Sequence, residues 1–184
     1  MSTSTSDARS PAASWLLAFS DAIAKRDVQA LTHSFLPHGW LRDTLVFSWD
    51  NRSLEGPKRI AEYLSNSLPN AQIGDIKLDD RPGLAPSFFP ASPVLSGIQF
   101  AFTFETPSIT GRGFTRLLPD SQGGLGWKAL SVYVTVDNIK GHEEMDHELG
   151  LYDGHTKSWG EVRAERRARV ESDPQVVISR YTTI

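Results

Sequence analysis

Apolar residues recur at helical spacing through the first part of the chain and then switch to strand-like alternation, so the pattern predicts helices leading into a sheet. Ser10-Pro11 places a capping hydroxyl before a proline, and Trp15, Leu16, Phe19, Ala22 and Ile23 form one stripe, predicting a helix over 11–26. Asp27 caps a second short helix carrying Val28, Leu31, Phe35 and Leu36, which stops at Pro37 and Gly39. From Trp40 to Trp49 the residues alternate, with Leu41, Asp43, Leu45, Phe47 and Trp49 on one strand face.

Pro57 opens a third helix with Ile60, Ala61, Leu64 and Leu68 as its stripe, ended by Pro69-Asn70, and Ile73, Ile76 and Leu78 suggest a short strand. The proline-rich stretch 81–97, with Leu84, Phe88 and Phe89, reads as an ordered apolar loop at a pocket lip. Strong strand patterns cover 98–106, 112–118 and 127–137, the last two joined by the glycine-rich turn 121–124, which argues for an antiparallel sheet. A charged helix is expected over 161–171, and the apolar run 176–178 follows the break at Asp173-Pro174. Helices on one side of a bent antiparallel sheet make this an α+β domain.

The length, 184 residues, suits one core and not two. A net charge of -3 leaves no electrostatic footprint for nucleic acid or anionic lipid. Cysteine is absent, which removes disulfides, thiolate nucleophiles and sulfur-ligated zinc. The Ser/Thr-rich start, residues 1–10, has no apolar stretch of the signal-peptide kind and reads as disordered, and no apolar run approaches a membrane span. These features predict a cytoplasmic protein without nucleic-acid or membrane partners.

Asp43 is the sharpest chemical signal, an acidic residue in an apolar strand face where burial would raise its pKa into the range useful for acid/base chemistry. The competing expectation is a structural ion pair with a neighbour such as Arg52 or Arg116, or a bulge that turns Asp43 outward. His38, just before the strand, is the second catalytic candidate, and the sequence makes Trp40, Arg42, Trp49, Phe102, Glu105, Arg116 and Tyr133 candidates for an apolar small-molecule site with a few polar contacts. His142-Glu143-Glu144-Met145-Asp146-His147 is not read as a metal site, because its histidines are five apart where one helical face needs four. Gly111-Arg112-Gly113 lacks the spacing of a pyrophosphate loop and reads as a strand entry or bulge. Leu130, Val132, Val134 and Val136 alternate with Tyr133 and its neighbours, giving a two-sided strand suited to a homodimer surface.

The segments His38-Gly39-Trp40-Leu41-Arg42-Asp43, Phe47-Ser48-Trp49-Asp50, Phe102-Thr103-Phe104-Glu105-Thr106, Gly141-His142-Glu143-Glu144, Gly154-His155-Thr156 and Glu161-Val162-Arg163 together resemble the N-terminal region of fungal flavin-dependent monooxygenases. That resemblance spans roughly residues 12–178 and implies a nuclear transport factor two-like, or SnoaL-like, cone: a curved antiparallel sheet packed against three N-terminal helices, with a C-terminal helical extension. It implies a pocket domain over 11–139 and a linker-like extension over 140–184 carrying the charged helix and a truncated strand. Where the family's flavin-binding glycines would follow, Ser179-Arg180-Tyr181-Thr182-Thr183-Ile184 stands instead, so no cofactor is expected and monooxygenase activity is not expected of this chain by itself. The resemblance implies either a cofactor-independent isomerase, dehydratase or cyclase of secondary metabolism, or a non-catalytic binding or dimerisation module left from a larger monooxygenase. A separately encoded oxidase is a further expected partner, docking on the Arg-rich helix 161–171.

Overall fold

The computed structural model describes residues 7–120, 126–143 and 158–173. Two compact units divide the chain, Met1–Lys140 and Gly141–Ile184.

In the first unit α1 (Arg9–Ala24) begins two residues earlier than its proline suggests. Asp7 is the cause, because its carboxylate accepts the Arg9 and Ser10 N–H groups at 2.9 and 3.2 Å and satisfies two of the free donors of the first turn. Arg9 and Ser10, expected to belong to a disordered start, are therefore helical. Asp27 caps α2 (Val28–His33) by accepting the Ala30 N–H at 2.9 Å, as expected. Phe35 and Leu36, assigned to that helix from their spacing, instead open β1 (Phe35–Thr44).

β1 stops five residues short of Trp49, and the chain folds back into β2 (Asn51–Glu55), an antiparallel partner with Asp43 opposite Arg52. α3 (Gly56–Ala71) carries Pro57 in its first turn, includes Pro69 in its last, and ends at Gln72 with φ 47°. β3 (Gly74–Leu78) follows. The expected loop 81–97 contains a strand, β4 (Ser87–Ser92), hairpinned onto β5 (Leu95–Glu105). β6 (Ile109–Pro119) and β7 (Trp127–Ile139) complete a seven-stranded sheet in the order β2-β1-β7-β6-β5-β3, with β4 beside β5.

The sheet is mixed, not wholly antiparallel, because β1 lies parallel to β7. β7 also departs from simple alternation: Arg116 pairs with Ser131 and Leu117 with Ala129, so Leu130 is the extra residue of a bulge. Ala129 and Val132 consequently both face inward and are buried.

The helices cover the inner face. Trp15 stacks on Phe19 at 4.9 Å between ring centroids, and these two meet Phe100 and Phe102 edge-on at 6.0 and 6.3 Å. Each of these is a favourable offset or edge-to-face geometry. Ile60, Leu64 and Leu68 of α3 join the same core. Gly111 and Gly113 make room for it: they sit opposite Phe104 and Phe102, and a Cβ on either would lie 2.2 or 2.0 Å from the facing ring. The reading of this pair as a strand feature and not a phosphate loop agrees with that role.

The second unit contains α4 (Trp159–Ser172). Its Ser158 accepts the Glu161 N–H while the Glu161 carboxylate accepts the Ser158 N–H at 2.7 Å, a reciprocal cap that lets a helix of low apolar content start at a fixed place. The turn 121–124, the histidine motif beyond Glu143, the run 176–178 and the break at Ser179 lie outside the described residues. No helix among the described residues is long and apolar enough to cross a membrane.

Candidate active site

Alternation along β1 turns Leu41 and Asp43 inward, both with almost no exposed surface, and sends Trp40 and Arg42 to the other face. A buried carboxylate needs donors, and Asp43 finds them in the chain that follows it. Its Oδ1 accepts the Val46 N–H at 2.9 Å, and both oxygens share the Phe47 N–H at 3.3 and 3.2 Å. Those bonds curl the backbone, with Leu45 at φ 67°, and this is why the strand ends where the apolar alternation alone would continue it.

Tyr63 of α3 closes the arrangement. Its hydroxyl donates to Asp43 Oδ2 at 2.5 Å and lies 2.8 Å from Ser48 Oγ. Burial pushes the Asp43 carboxyl above the usual range, and the Tyr63 hydroxyl and the Val46, Phe47 and Ser48 amides only partly oppose that push. Burial, helped by the neighbouring Asp43, pushes the Tyr63 phenol up to about 12, so it stays a donor across the ordinary pH range. Neither expected ion pair forms: Arg52 pairs with Asp50 at 2.5 Å, and Arg116 belongs to the outer face.

A groove of about 610 Å³ opens beside Tyr63. One wall is a stripe of α3, Arg59, Tyr63, Asn66 and Asn70, whose spacing of four, three and four residues keeps them on one helical face. The other wall is Arg52 and Leu54 of β2 with Phe47 and Ser48 of the turn. A second cavity of about 230 Å³, more apolar, lies across Phe47 and Ser48, where Leu45, Val46, Trp49 and Ile109 form its sides. Asp43 lines neither cavity and reaches the groove only through Tyr63.

The other candidates disperse. Trp49 borders the smaller cavity with most of its surface exposed. His38 is on the surface, 3.7 Å from Glu55. Trp40, Arg42, Arg116 and Tyr133 share the outer sheet face, where Arg42 lies opposite Tyr133 and both Trp40 and Arg116 flank Ser131. Arg116 stacks there over Phe89 and Phe114, at 5.2 and 5.9 Å from the ring centres. Phe102 belongs to the aromatic core, and Glu105 pairs with Lys140 at 2.8 Å. Tyr63, Ser48 and Arg59 were not among the candidates. Tyr63 was findable, because it follows Ile60 by three residues and so falls on the buried side of its helix.

No family model matches the sequence, and no curated protein matches it. Solved structures do. A protein from Novosphingobium aromaticivorans, described as a candidate scytalone dehydratase, superposes with a TM-score of 0.52 at 9% identity, over 80% of this chain and 94% of that one. A nuclear transport factor two-like protein of unknown function from Pseudomonas putida gives 0.51 at 10% identity, over 81% and 96%. A domain of unknown function with a cystatin-like fold from Nostoc punctiforme gives 0.51 at 12% identity, over 93% and 100%. The chain has the nuclear transport factor two-like α+β fold, a curved mixed sheet with helices packed on it.

Proposed function

We propose that this chain is a small-molecule-binding domain whose site is the groove between α3 and the β1–β2 hairpin, and that Asp43 acts through Tyr63 as the base of a cofactor-independent isomerase, dehydratase or cyclase. The observation that carries this reading is the contact between a fully buried carboxylate and a hydroxyl that lines the groove. A ligand proton would pass to Tyr63 Oη while the phenolic proton passes to Asp43 Oδ2. Tyr63 thus stays neutral and Asp43 becomes the acid that can return the proton. Trp49 borders the adjoining apolar cavity and is suited to hold a ring there.

The test is ligand-detected NMR against hydroxylated and keto ring compounds, followed by deuterium incorporation from D₂O into any that bind. Wild type is expected to exchange a C–H position, and Asp43→Asn and Tyr63→Phe to lose roughly a hundredfold or more of that rate. Equal exchange by all three proteins removes Asp43 from any chemistry.

A second reading is favoured by a specific observation: the cone interior is packed with aromatic side chains, and the Asp43 bonds also fasten a turn. On that reading the chain is a non-catalytic module related to the N-terminal part of flavin monooxygenases, which binds ligand without transforming it. Under both readings we propose a homodimer formed through the outer sheet face that bears Trp40 and Tyr133.

A further inference from the structure

The groove's charges are unequally committed. Arg52 is paired with Asp50, whereas Arg59 makes no ion pair among the described residues, although it lines the groove one helical turn before Tyr63. Glu62 is the one acidic residue on the lining and lies beyond ion-pair distance of Arg59. At the other end, Tyr63 gives its only proton to Asp43, so Ser48 Oγ is the donor to Tyr63 and the pair turns acceptor lone pairs to the groove, backed by a buried carboxyl. That end suits a neutral group bearing an O–H or N–H and disfavours a negative charge, which would meet only acceptor oxygens. Phe47 and Leu54 supply apolar wall beside it.

We infer that the groove takes a small organic monoanion, with its carboxylate or sulfonate on Arg59, its apolar body against Phe47 and Leu54, and a neutral hydroxyl or N–H toward Ser48. This rests on the groove being the ligand site. Arg59 is solvent-exposed in the free protein, so its charge is available at little desolvation cost, and a guanidinium–carboxylate fork adds orientation as well as affinity.

Two fluorescent probes of one skeleton test it on the full chain: 1-anilinonaphthalene-8-sulfonate and the uncharged N-phenyl-1-naphthylamine. Wild type is expected to bind the sulfonate roughly tenfold more tightly than the neutral dye. Arg59→Gln should abolish that preference with the neutral dye unchanged, Arg59→Lys should keep part of it, and Asn66→Trp, which fills the groove from α3, should weaken both. Equal binding of the two dyes by wild type, or an Arg59→Gln protein that keeps the preference, overturns the monoanion inference and leaves the groove site standing when Asn66→Trp still blocks both. If neither dye binds, or Asn66→Trp affects neither, the groove reading falls and the inference with it.

Discussion

A carboxylate without exposed atoms must be satisfied from inside the protein, and Asp43 recruits the amides of the turn it creates together with the hydroxyl of Tyr63. Its folded-state pKa is raised, so the folded protein holds this proton more tightly than the unfolded chain does. The sign follows: the contribution of Asp43 to stability falls as pH rises from the usual carboxylate value through the folded value, and is level above it. Asp79 works oppositely, because hydrogen bonding from Arg81 holds its carboxyl below the usual range, and its contribution is lost as pH falls through that lower value. Urea unfolding from about pH 3 to pH 8 should therefore show that Asp43→Asn flattens the part of the profile above the usual carboxylate value and leaves the acid limb unchanged. Asp43 itself was legible from one acidic residue in an apolar alternation. The inward placement of Tyr63 was legible from its helical spacing to Ile60, but its pairing with Asp43 was not, since nothing in a sequence states which helix residue reaches across twenty positions to a given strand.

At the scale of elements, the aromatic strand β5 and the glycines of β6 are one device. Phe102 lies directly over Gly113, so Gly113→Ala is expected to destabilise by about 2 kcal/mol, as overpacking does. Denaturant midpoints should show the loss, and adding Phe102→Leu should recover part of it, a coupling that a double-mutant cycle reads directly. The long helices and the strands β5, β6 and β7 were legible because periodicity persists across them. β2 and β4 were not. Both are short hairpin partners whose formation depends on the neighbouring strand more than on their own polar or proline-rich residues. The early end of β1 was hidden for a related reason: the hydrogen bonds of Asp43 override an apolar alternation that continues to Trp49.

Across the whole molecule, the outer sheet face gathers Trp40, Tyr133 and the stacked Arg116, three residues that sequence reasoning had placed around a ligand. What separates them from Asp43 is a two-residue period, which assigns neighbours on a strand to opposite faces while a linear reading keeps them together. The proposed homodimer uses that face, and sedimentation equilibrium should give twice the chain mass. Tyr133→Glu is expected to shift the equilibrium to monomer, and a wild-type monomer at all concentrations would dispose of the interface.

The parallel pairing of β1 with β7 carries a consequence for the order of assembly. The strand that leaves the ribosome first among the seven is zipped to the one that leaves last, with Asp43 set beside Val134. Until β7 arrives, β1 has no sheet neighbour on that flank, although every donor to the Asp43 carboxylate and every residue lining the larger groove lies between positions 43 and 70 and is already present. The local bonds of the site can thus form early, whereas the closing of the sheet against β1 depends on a sequence-distant pairing, and a ribosome-bound chain stalled before residue 127 would hold the helices and the Asp43 turn with β1 open on its β7 side.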